Sequence, residues 1–285
     1  MVFRHLSAAA LVAACLTGCA GKPQPEGSLK TAFAATMPAA PSVSGDAVAL
    51  SPTAWMHPRN PTGLAGRDIM VSSLKDIALA NKEVVLSFDD GPVPGRTESI
   101  LATLDEFGVK ATFLMVGQMA QAHPEIARKV VADGHSVGSH TFSHPNLRAM
   151  SFDRALAEVS KGSKAVAKAT DTDASFFRFP YLADTGRLRN MISDRGMVIM
   201  DVQIDSKDYF KDSPAVVASR TVVASRTVAA LRHRGSGIIL MHDIHRRTAA
   251  MLPALLTQLR AEGYKVVHLI YKKPAHKPLL VASLD

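Results

Sequence analysis

Two adjacent carboxylates are the first residues of this sequence whose types and placing suit metal or acid–base chemistry. Asp89 and Asp90 end an apolar run and are followed by Gly91-Pro92, which predicts a turn. Successive side chains on extended backbone point in opposite directions, so one carboxylate can bind a cation while the other faces a substrate. The alternative is that both aspartates serve only in a turn or a helix cap. These two residues alone do not decide between the functional and the structural interpretation.

A closely spaced pair of histidines offers the matching ligands. His140 and His144 are four positions apart, a spacing that places two imidazoles on the same side of a helical turn. Neutral imidazole suits zinc and neighbouring transition metals. Two histidines and one carboxylate would leave coordination positions open for water and substrate. The spacing by itself is not specific, because many such pairs bind nothing.

Three further polar segments each follow an apolar run. Arg178 lies among aromatic residues and would need an anionic partner if it is buried. The segment from Asp205 to Tyr209 carries two carboxylates, although for this segment alone a solvated charged loop is the favoured explanation. His242 ends the apolar run 238–241, where a lone histidine is more often structural.

The elements that must position these residues alternate along the chain from residue 83. Apolar runs typical of strands cover 84–88, 111–116, 136–139, 176–179, 197–202, 237–241 and 265–270. Helices are predicted over 97–107, 124–132, 152–169, 185–195, 214–231 and 248–261. Alternation of this kind predicts parallel strands with right-handed crossovers, in either a barrel or an open doubly wound sheet. In both, functional side chains follow the carboxyl ends of strands.

The first residues of the chain are typical of an export signal. A short basic region at Arg4 and His5 precedes an apolar stretch over 6–16. The residues Leu16-Thr17-Gly18-Cys19 resemble the bacterial lipobox, which predicts cleavage before Cys19 and lipidation of that cysteine. An ordinary signal peptide is the alternative. Residues 20–58, rich in Pro, Ala, Ser and Gly, are typical of a flexible tether, and 69–80 are ambiguous between a short strand and a helix.

Composition narrows the class of protein. The 285 residues are 47% hydrophobic and 20% charged, which indicates one large globular domain rather than a disordered chain. The net charge of +8 favours anionic lipid or wall polymers. Lys and Arg are scattered, so no nucleic-acid partner is predicted. Cys15 and Cys19 are the only cysteines, so a domain cleaved before Cys19 has no disulfide and no cysteine nucleophile.

Taken together, the order and spacing of the five polar segments resemble the NodB-homology polysaccharide deacetylases, carbohydrate esterase family four. The resemblance covers about residues 83–270 and implies an α/β fold, a distorted (β/α)7 barrel. Together with the lipobox and the composition of the first residues, it divides the chain into a lipoprotein signal peptide over 1–18, a tether and N-terminal extension over 19–82, a catalytic domain over 83–273 and a tail over 274–285.

The resemblance also implies a role for individual residues. Asp90, His140 and His144 match the metal ligands, with zinc the expected ion and cobalt, nickel or manganese as alternatives. Asp89 matches the catalytic base, and Arg178 matches the arginine that holds it.

His242 matches the general acid and Asp208 the carboxylate that orients it. Tyr181 matches the residue whose backbone N–H stabilises the oxyanion, and Pro180, Leu240 and Tyr209 complete the implied substrate-binding set. Tyr209 departs from the pattern, which usually has tryptophan there. His123, His135, His233 and His245 have no matched role and are interpreted as structural, surface or loop residues.

The predicted function is removal of N-acetyl groups from an amino-sugar polymer of the cell envelope, with peptidoglycan favoured because the protein is expected to be exported. O-deacetylation of acetyl-xylan or a similar ester remains open, as does a non-catalytic wall-binding lipoprotein. A dinucleotide-binding dehydrogenase is not indicated, because this sequence lacks the G-x-G-x-x-G motif that such enzymes carry after the first strand. We expect a monomer that is held to a membrane by its lipid anchor. In a cell with an outer membrane, that membrane is the favoured location. Secretion without an anchor is the alternative.

Overall fold

The computed structural model describes residues 60–210 and 220–273. The predicted signal peptide, the lipidation site Cys19, the predicted tether over 20–58, the start of the predicted helix 214–231 and the tail therefore lie outside the described residues. Within them, no helix combines the length and the apolar character needed to cross a membrane.

The described residues form nine strands and seven α-helices that alternate over most of the chain. The strands are β1 Ala65–Val71, β2 Glu83–Asp89, β3 Thr112–Met115, β4 Ser136–Ser139, β5 Phe176–Phe177, β6 Val198–Ile199, β7 Ile204–Asp205, β8 Gly237–His242 and β9 Lys265–Tyr271. The helices are α1 Thr97–Glu106, α2 Gly117–Ala122, α3 Pro124–Ala132, α4 Phe152–Thr170, α5 Gly186–Asp194, α6 Arg220–Arg234 and α7 Arg246–Ala261.

Every strand pairing is parallel, and seven strands form an almost closed barrel in the order β6-β5-β4-β3-β2-β8-β7. No pairing joins β6 to β7 among the described strands, so the barrel stays open there. Strand β9 pairs with the first two residues of β2, and β1 pairs with β9. The predicted barrel is thus confirmed, and the open doubly wound sheet is excluded.

Strand β2 shows how the barrel places polar groups inside. Alternate residues Val84, Leu86 and Phe88 pack with apolar side chains of the surrounding helices. The opposite face includes Val85, which packs inside the barrel with Leu114, Phe176 and Ile238 among others. The same face then continues with the buried polar residues Ser87 and Asp89. The interior is therefore apolar at one end and polar at the carboxyl ends of the strands.

Three predicted strands, over 111–116, 176–179 and 197–202, are shorter than expected, and three elements, β1, β7 and α2, were not predicted. Strand β5 stops after Phe177 because the carbonyl of Arg178 accepts a hydrogen bond from the His140 ring, and Pro180 has no N–H to offer. Strand β1 escaped prediction because only Ile69 and Val71 are buried along it. Helix α2 has six residues, too few to show a helical period.

Close packing of α4 against the loop after β4 depends on Gly162. This glycine lies within α4, and a Cβ there would collide with the backbone carbonyl of Thr141. Thr141 directly follows His140, so the absence of a side chain at position 162 lets the helix support the histidine-bearing loop.

We expect Gly162→Ala to lower the free energy of unfolding by about 1–3 kcal/mol, despite the higher helix propensity of alanine, because the backbone must shift. Gly186→Ala is the matched control: it lies in a helix with open space around its Cα. That variant should leave stability unchanged or slightly higher. Chemical denaturation of both variants provides the measurement, and an equal effect of the two would contradict the packing argument.

Candidate active site at the carboxyl ends of the strands

The five polar segments of the sequence meet at one cleft of about 400 Å³ at the carboxyl end of the barrel. Its lining comprises Asp89, Asp90, His140, His144, Phe179, Tyr181, Leu182, Asp205, Tyr209, Leu240, His242 and His245. Residues separated by about 150 positions are neighbours here because β2 and β8 pair in parallel, with Asp89 opposite His242.

Asp90, His140 and His144 form a cluster with the geometry of a metal site. The Asp90 Oδ1 atom lies 3.3 Å from His144 Nε2 and 3.6 Å from His140 Nε2. One ligand atom from each residue can be chosen so that all lie within 4.8 Å of one another. Asp90 Oδ1 is buried and accepts no hydrogen bond within the described part of the chain. A buried acceptor facing two imidazoles is the arrangement that a cation would satisfy.

The histidine pair does not lie on a helix, which corrects the structural interpretation of its spacing. Residues 140–146 form a loop in which Thr141 (φ 67°) and His144 (φ 59°) adopt left-handed backbone conformations. The Thr141 hydroxyl accepts the N–H of His144 at 3.1 Å, which closes the loop and brings the two rings to a centroid distance of 4.8 Å. Local side-chain bonding therefore replaces the helical turn.

Buried His140 is oriented by the backbone. Its Nδ1 lies 2.8 Å from the carbonyl oxygen of Arg178. A carbonyl only accepts, so the proton resides on Nδ1 and leaves Nε2 free to bind a metal. Burial lowers the pKa of His140, although the nearby Asp89 and Asp90 act in the opposite direction. The neutral ring that a metal requires is thus the favoured state.

Arg178 is 1% exposed and has the anionic partner that its burial requires. Its Nη1 donates to Asp89 Oδ1 at 2.6 Å and to Ser87 Oγ at 2.9 Å, and its Nε donates to the carbonyl of Met200 at 3.1 Å. The second carboxylate oxygen of Asp89 lies 3.7 Å from His140 Nε2, on the side of the metal-type cluster. Asp89 is thereby held with Oδ1 bonded to Arg178, while Oδ2 faces the cluster of Asp90, His140 and His144.

Asp208 binds His242 from behind the cleft. Its Oδ1 lies 2.7 Å from His242 Nδ1, while Oδ2 accepts the His242 backbone N–H at 2.7 Å and the Thr248 hydroxyl at 2.6 Å. Burial alone would raise the pKa of Asp208, but the hydrogen bonds from His242 and Thr248 outweigh it and the pKa is lowered.

The interaction with Asp208 raises the pKa of His242. Burial would lower the pKa of His242, but the hydrogen bond and charge of Asp208, helped by Asp89 and Asp90, raise it to about 9. His242 is therefore protonated at neutral pH, as a proton donor must be.

Exposed aromatic side chains flank the cleft. Tyr181 is 67% exposed and contacts the His144 ring edge-on at a centroid distance of 4.7 Å. Tyr209 is 40% exposed, packs edge-on against His242 at 5.3 Å, and donates its hydroxyl to Asp205 Oδ2 at 2.8 Å. Leu240 lines the cleft as a buried residue. Pro180 is buried and does not line it.

Two residues near the cleft were not assigned a role from sequence. His245, interpreted as a loop residue, lines the cleft with its ring 5.9 Å from that of His242. Asp243 is 1% exposed and bonds to the loop after β2; a carboxylate directly after an apolar strand was the available signal. His135 is structural: it is buried and accepts the N–H of Ala111, and burial lowers its pKa to about 3.

Comparisons with known proteins identify relatives of this chain. The family model described as polysaccharide deacetylase matches residues 76–200. A peptidoglycan-N-acetylglucosamine deacetylase of Listeria monocytogenes is 35% identical over 191 residues, which are 67% of this chain and 38% of that protein. A chitin deacetylase of Colletotrichum lindemuthianum is 30% identical over 65% of this chain and 76% of its own length. The chain thus matches well under half the length of its Listeria relative.

Solved structures show the same architecture. A peptidoglycan deacetylase of Bdellovibrio bacteriovorus superposes with a TM-score of 0.63 and 33% identity, covering 75% of this chain and 57% of that one. A family 4 carbohydrate esterase of Streptomyces lividans gives a TM-score of 0.57 and 29% identity over 66% of this chain and 93% of its own.

The Asp208–His242 pair generates a direct test in metal-free protein. NMR titration of the His242 ring should give a pKa well above its usual value, about 9, because Asp208 stabilises the imidazolium. Asp208→Asn should lower the pKa of His242, since the hydrogen bond to a carboxylate is lost while burial remains. His123, partly exposed and outside the cleft, serves as the internal reference. An unchanged His242 pKa in the variant would show that Asp208 is not the cause.

Proposed function

The chain belongs to the polysaccharide deacetylase family, and from this membership we propose that it is a metal-dependent hydrolase that removes N-acetyl groups from GlcNAc-type sugars of a cell-envelope polysaccharide. The observation that carries the proposal is the convergence of Asp90, His140 and His144 beside Asp89 and His242 in one cleft. All the groups needed for metal-assisted amide hydrolysis are present there.

The ligand chemistry favours zinc, with cobalt, nickel or manganese as alternatives. Two imidazoles and one carboxylate suit a transition metal, and three protein ligands leave room for water and substrate. When bound by Asp90, His140 and His144, a divalent ion would polarise the acetyl carbonyl and make a water molecule more acidic.

The surrounding side chains supply proton transfer. Asp89 accepts the proton of the attacking water on Oδ2, the oxygen that Arg178 leaves free. The backbone N–H of Tyr181 stabilises the oxyanion, a contribution typically worth about 3–4 kcal/mol. His242 donates a proton from Nε2 to the departing nitrogen, because an amine leaves only after protonation. Asp208 holds His242 in the protonated state needed for this step.

The exposed aromatic rings of the cleft and the names of the relatives support a sugar polymer as substrate. Tyr181 and Tyr209 expose aromatic rings at the cleft, and Leu182 and Phe210 extend the apolar surface beside each of them. Such rings suit the apolar faces of sugars. Peptidoglycan is the favoured polymer, in keeping with the names of the Listeria and Bdellovibrio relatives, and a chitin-type polymer is the closest alternative in chemistry.

Export and lipid attachment at Cys19 belong to the same proposal. The pattern Leu16-Thr17-Gly18-Cys19 supports an envelope location, and the net charge of +8 suits anionic wall polymers or lipid. We expect the protein to act there as a monomer. Replacement of Cys19 by alanine should release it from the membrane fraction, and unchanged membrane attachment would refute lipidation at this residue.

Two substitutions separate metal binding from proton transfer. Asp89→Asn should keep bound metal but lower activity about 10²–10⁴-fold, because the base is lost. Asp90→Asn should lose both metal and activity. Metal analysis and acetate release from peptidoglycan, chitin oligomers and acetyl-xylan measure these effects in the full chain. His123→Ala, outside the cleft, is the control. Full turnover by Asp89→Asn would exclude it as the base, and release from acetyl-xylan alone would favour O-deacetylation.

The aromatic wall provides a separate test of polymer binding. Tyr209→Ala should raise KM for the polymer about 2–10-fold with a smaller change in kcat, since a stacking surface is lost but the reacting groups remain. Tyr209→Phe keeps the ring and loses only the hydrogen bond to Asp205, so its KM should stay near that of the wild type. A KM that is equal for all three proteins would show that Tyr209 does not contact the polymer.

A further inference from the structure

Asp243 is a buried carboxylate whose hydrogen bonds, within the described part of the chain, go to the end of β2, to the turn that follows it and to the start of α1. It follows His242 and is 1% exposed. Its Oδ1 accepts the backbone N–H of Gly91 at 2.8 Å, and its Oδ2 accepts the Thr97 hydroxyl at 2.7 Å. Its own N–H donates to the carbonyl of Asp89 at 3.2 Å. All three bonds connect the residue after β8 to the stretch from the last residue of β2 to the first residue of α1.

Thr97 extends this connection to the far end of the turn. Its Oγ1, besides donating to Asp243, accepts the backbone N–H of Val93 at 2.8 Å. Asp243 therefore holds Gly91 directly and Val93 through Thr97. The segment from Asp90 to the start of α1 is fixed at several points by one side chain and its hydroxyl partner.

Gly91 shows how closely the carboxylate approaches. A Cβ on Gly91 would overlap the carboxylate oxygens of Asp243, so only glycine leaves room for it. Asp243 does not line the cleft, and it therefore acts on the site through Gly91 rather than through contact with substrate.

Asp90 needs support of this kind. Its φ of 81° is a left-handed conformation that residues with a side chain adopt only when their surroundings hold them. On the β3 side, the N–H of Asp90 donates to the carbonyl of Leu114 at 3.2 Å. On the β8 side, support comes from Asp243 through the next residue, Gly91.

We propose that Asp243 is a positioning residue that fixes the turn bearing Asp89 and Asp90 relative to His242. The role follows from the geometry: one residue adjoins the proposed acid and bonds to the turn that carries the proposed base and a proposed metal ligand. The activity readout rests on the proposed function, whereas the metal-binding readout needs only the Asp90–His140–His144 cluster.

Metal affinity distinguishes positioning from plain structural support. Asp243→Ala in the full chain should weaken binding of Zn²⁺ about 10–100-fold, as loss of support behind a ligand typically does, and should change the absorption spectrum of Co²⁺ at the site. Asp243→Asn keeps an oxygen for the Gly91 N–H and should recover part of the affinity. In turnover, kcat should fall with KM nearly unchanged, because Asp243 does not line the cleft.

Leu259→Ala is the matched control for general destabilisation. Leu259 is fully buried in α7, away from the turn, so its variant should lower Tm and leave Zn²⁺ affinity unchanged. If Asp243→Ala lowers Tm but leaves the Zn²⁺ dissociation constant and the Co²⁺ spectrum unaltered, the proposal is overturned.

A milder pair of variants covers the case in which Asp243→Ala fails to fold. Thr97→Val removes the hydroxyl that links Asp243 to Val93, and Thr97→Ser retains it. Thr97→Val should weaken Zn²⁺ binding more than Thr97→Ser, and equal affinities would overturn the proposal. The two proposals can fail separately. If the wild type releases no acetate, the proposed function is refuted. If Asp243→Ala nevertheless loses metal affinity, the positioning role still stands.

Discussion

Inside the barrel, the Arg178 residue connects three of the strands that build the cleft. Its guanidinium bonds to Asp89 and Ser87 of β2 and to the carbonyl of Met200 after β6, while its own carbonyl orients His140 after β4. A buried cation is stable only with such partners, so burial forces these contacts to form together. The positions of the proposed base and of one proposed metal ligand thus depend on the same residue.

The environments of His140 and His242 show how the fold assigns opposite tasks to one residue type. The His140 ring bonds to a neutral carbonyl, and burial therefore leaves it unprotonated and able to bind a cation. His242 bonds to the carboxylate of Asp208, which offsets burial and keeps it protonated. The carboxylates nearest the His140 ring, at 3.6 and 3.7 Å, do not outweigh its burial, whereas the directly hydrogen-bonded carboxylate of Asp208 outweighs the burial of His242.

Left-handed backbone conformations collect around the cleft. Asp90, Thr141, His144, Tyr181 and Leu182 all have positive φ although none is glycine. Conformations of this kind persist only where surrounding contacts determine them, and they are frequent at functional sites. The hydrogen bonds of Thr141 to His144 and of Asp243 to Gly91 are such contacts. The loops at the carboxyl ends are therefore held by specific side chains rather than by regular secondary structure.

The apolar runs of the sequence determined six of the seven barrel strands and most helices, since burial along a strand or helix is a local property; β7, with two residues, was too short to predict. The order of the polar segments determined the family and the residues that meet in the cleft. Tertiary structure alone decided the loop conformation of His140 and His144, the shortening of β5, and the roles of β1 and Asp243. These features depend on contacts that the pattern of apolar residues does not specify. Thr141 bonds to His144 within their loop, and Arg178 meets Asp89 because the carboxyl ends of β5 and β2 share the barrel interior. Asp243 meets Gly91 because β2 and β8 pair in parallel.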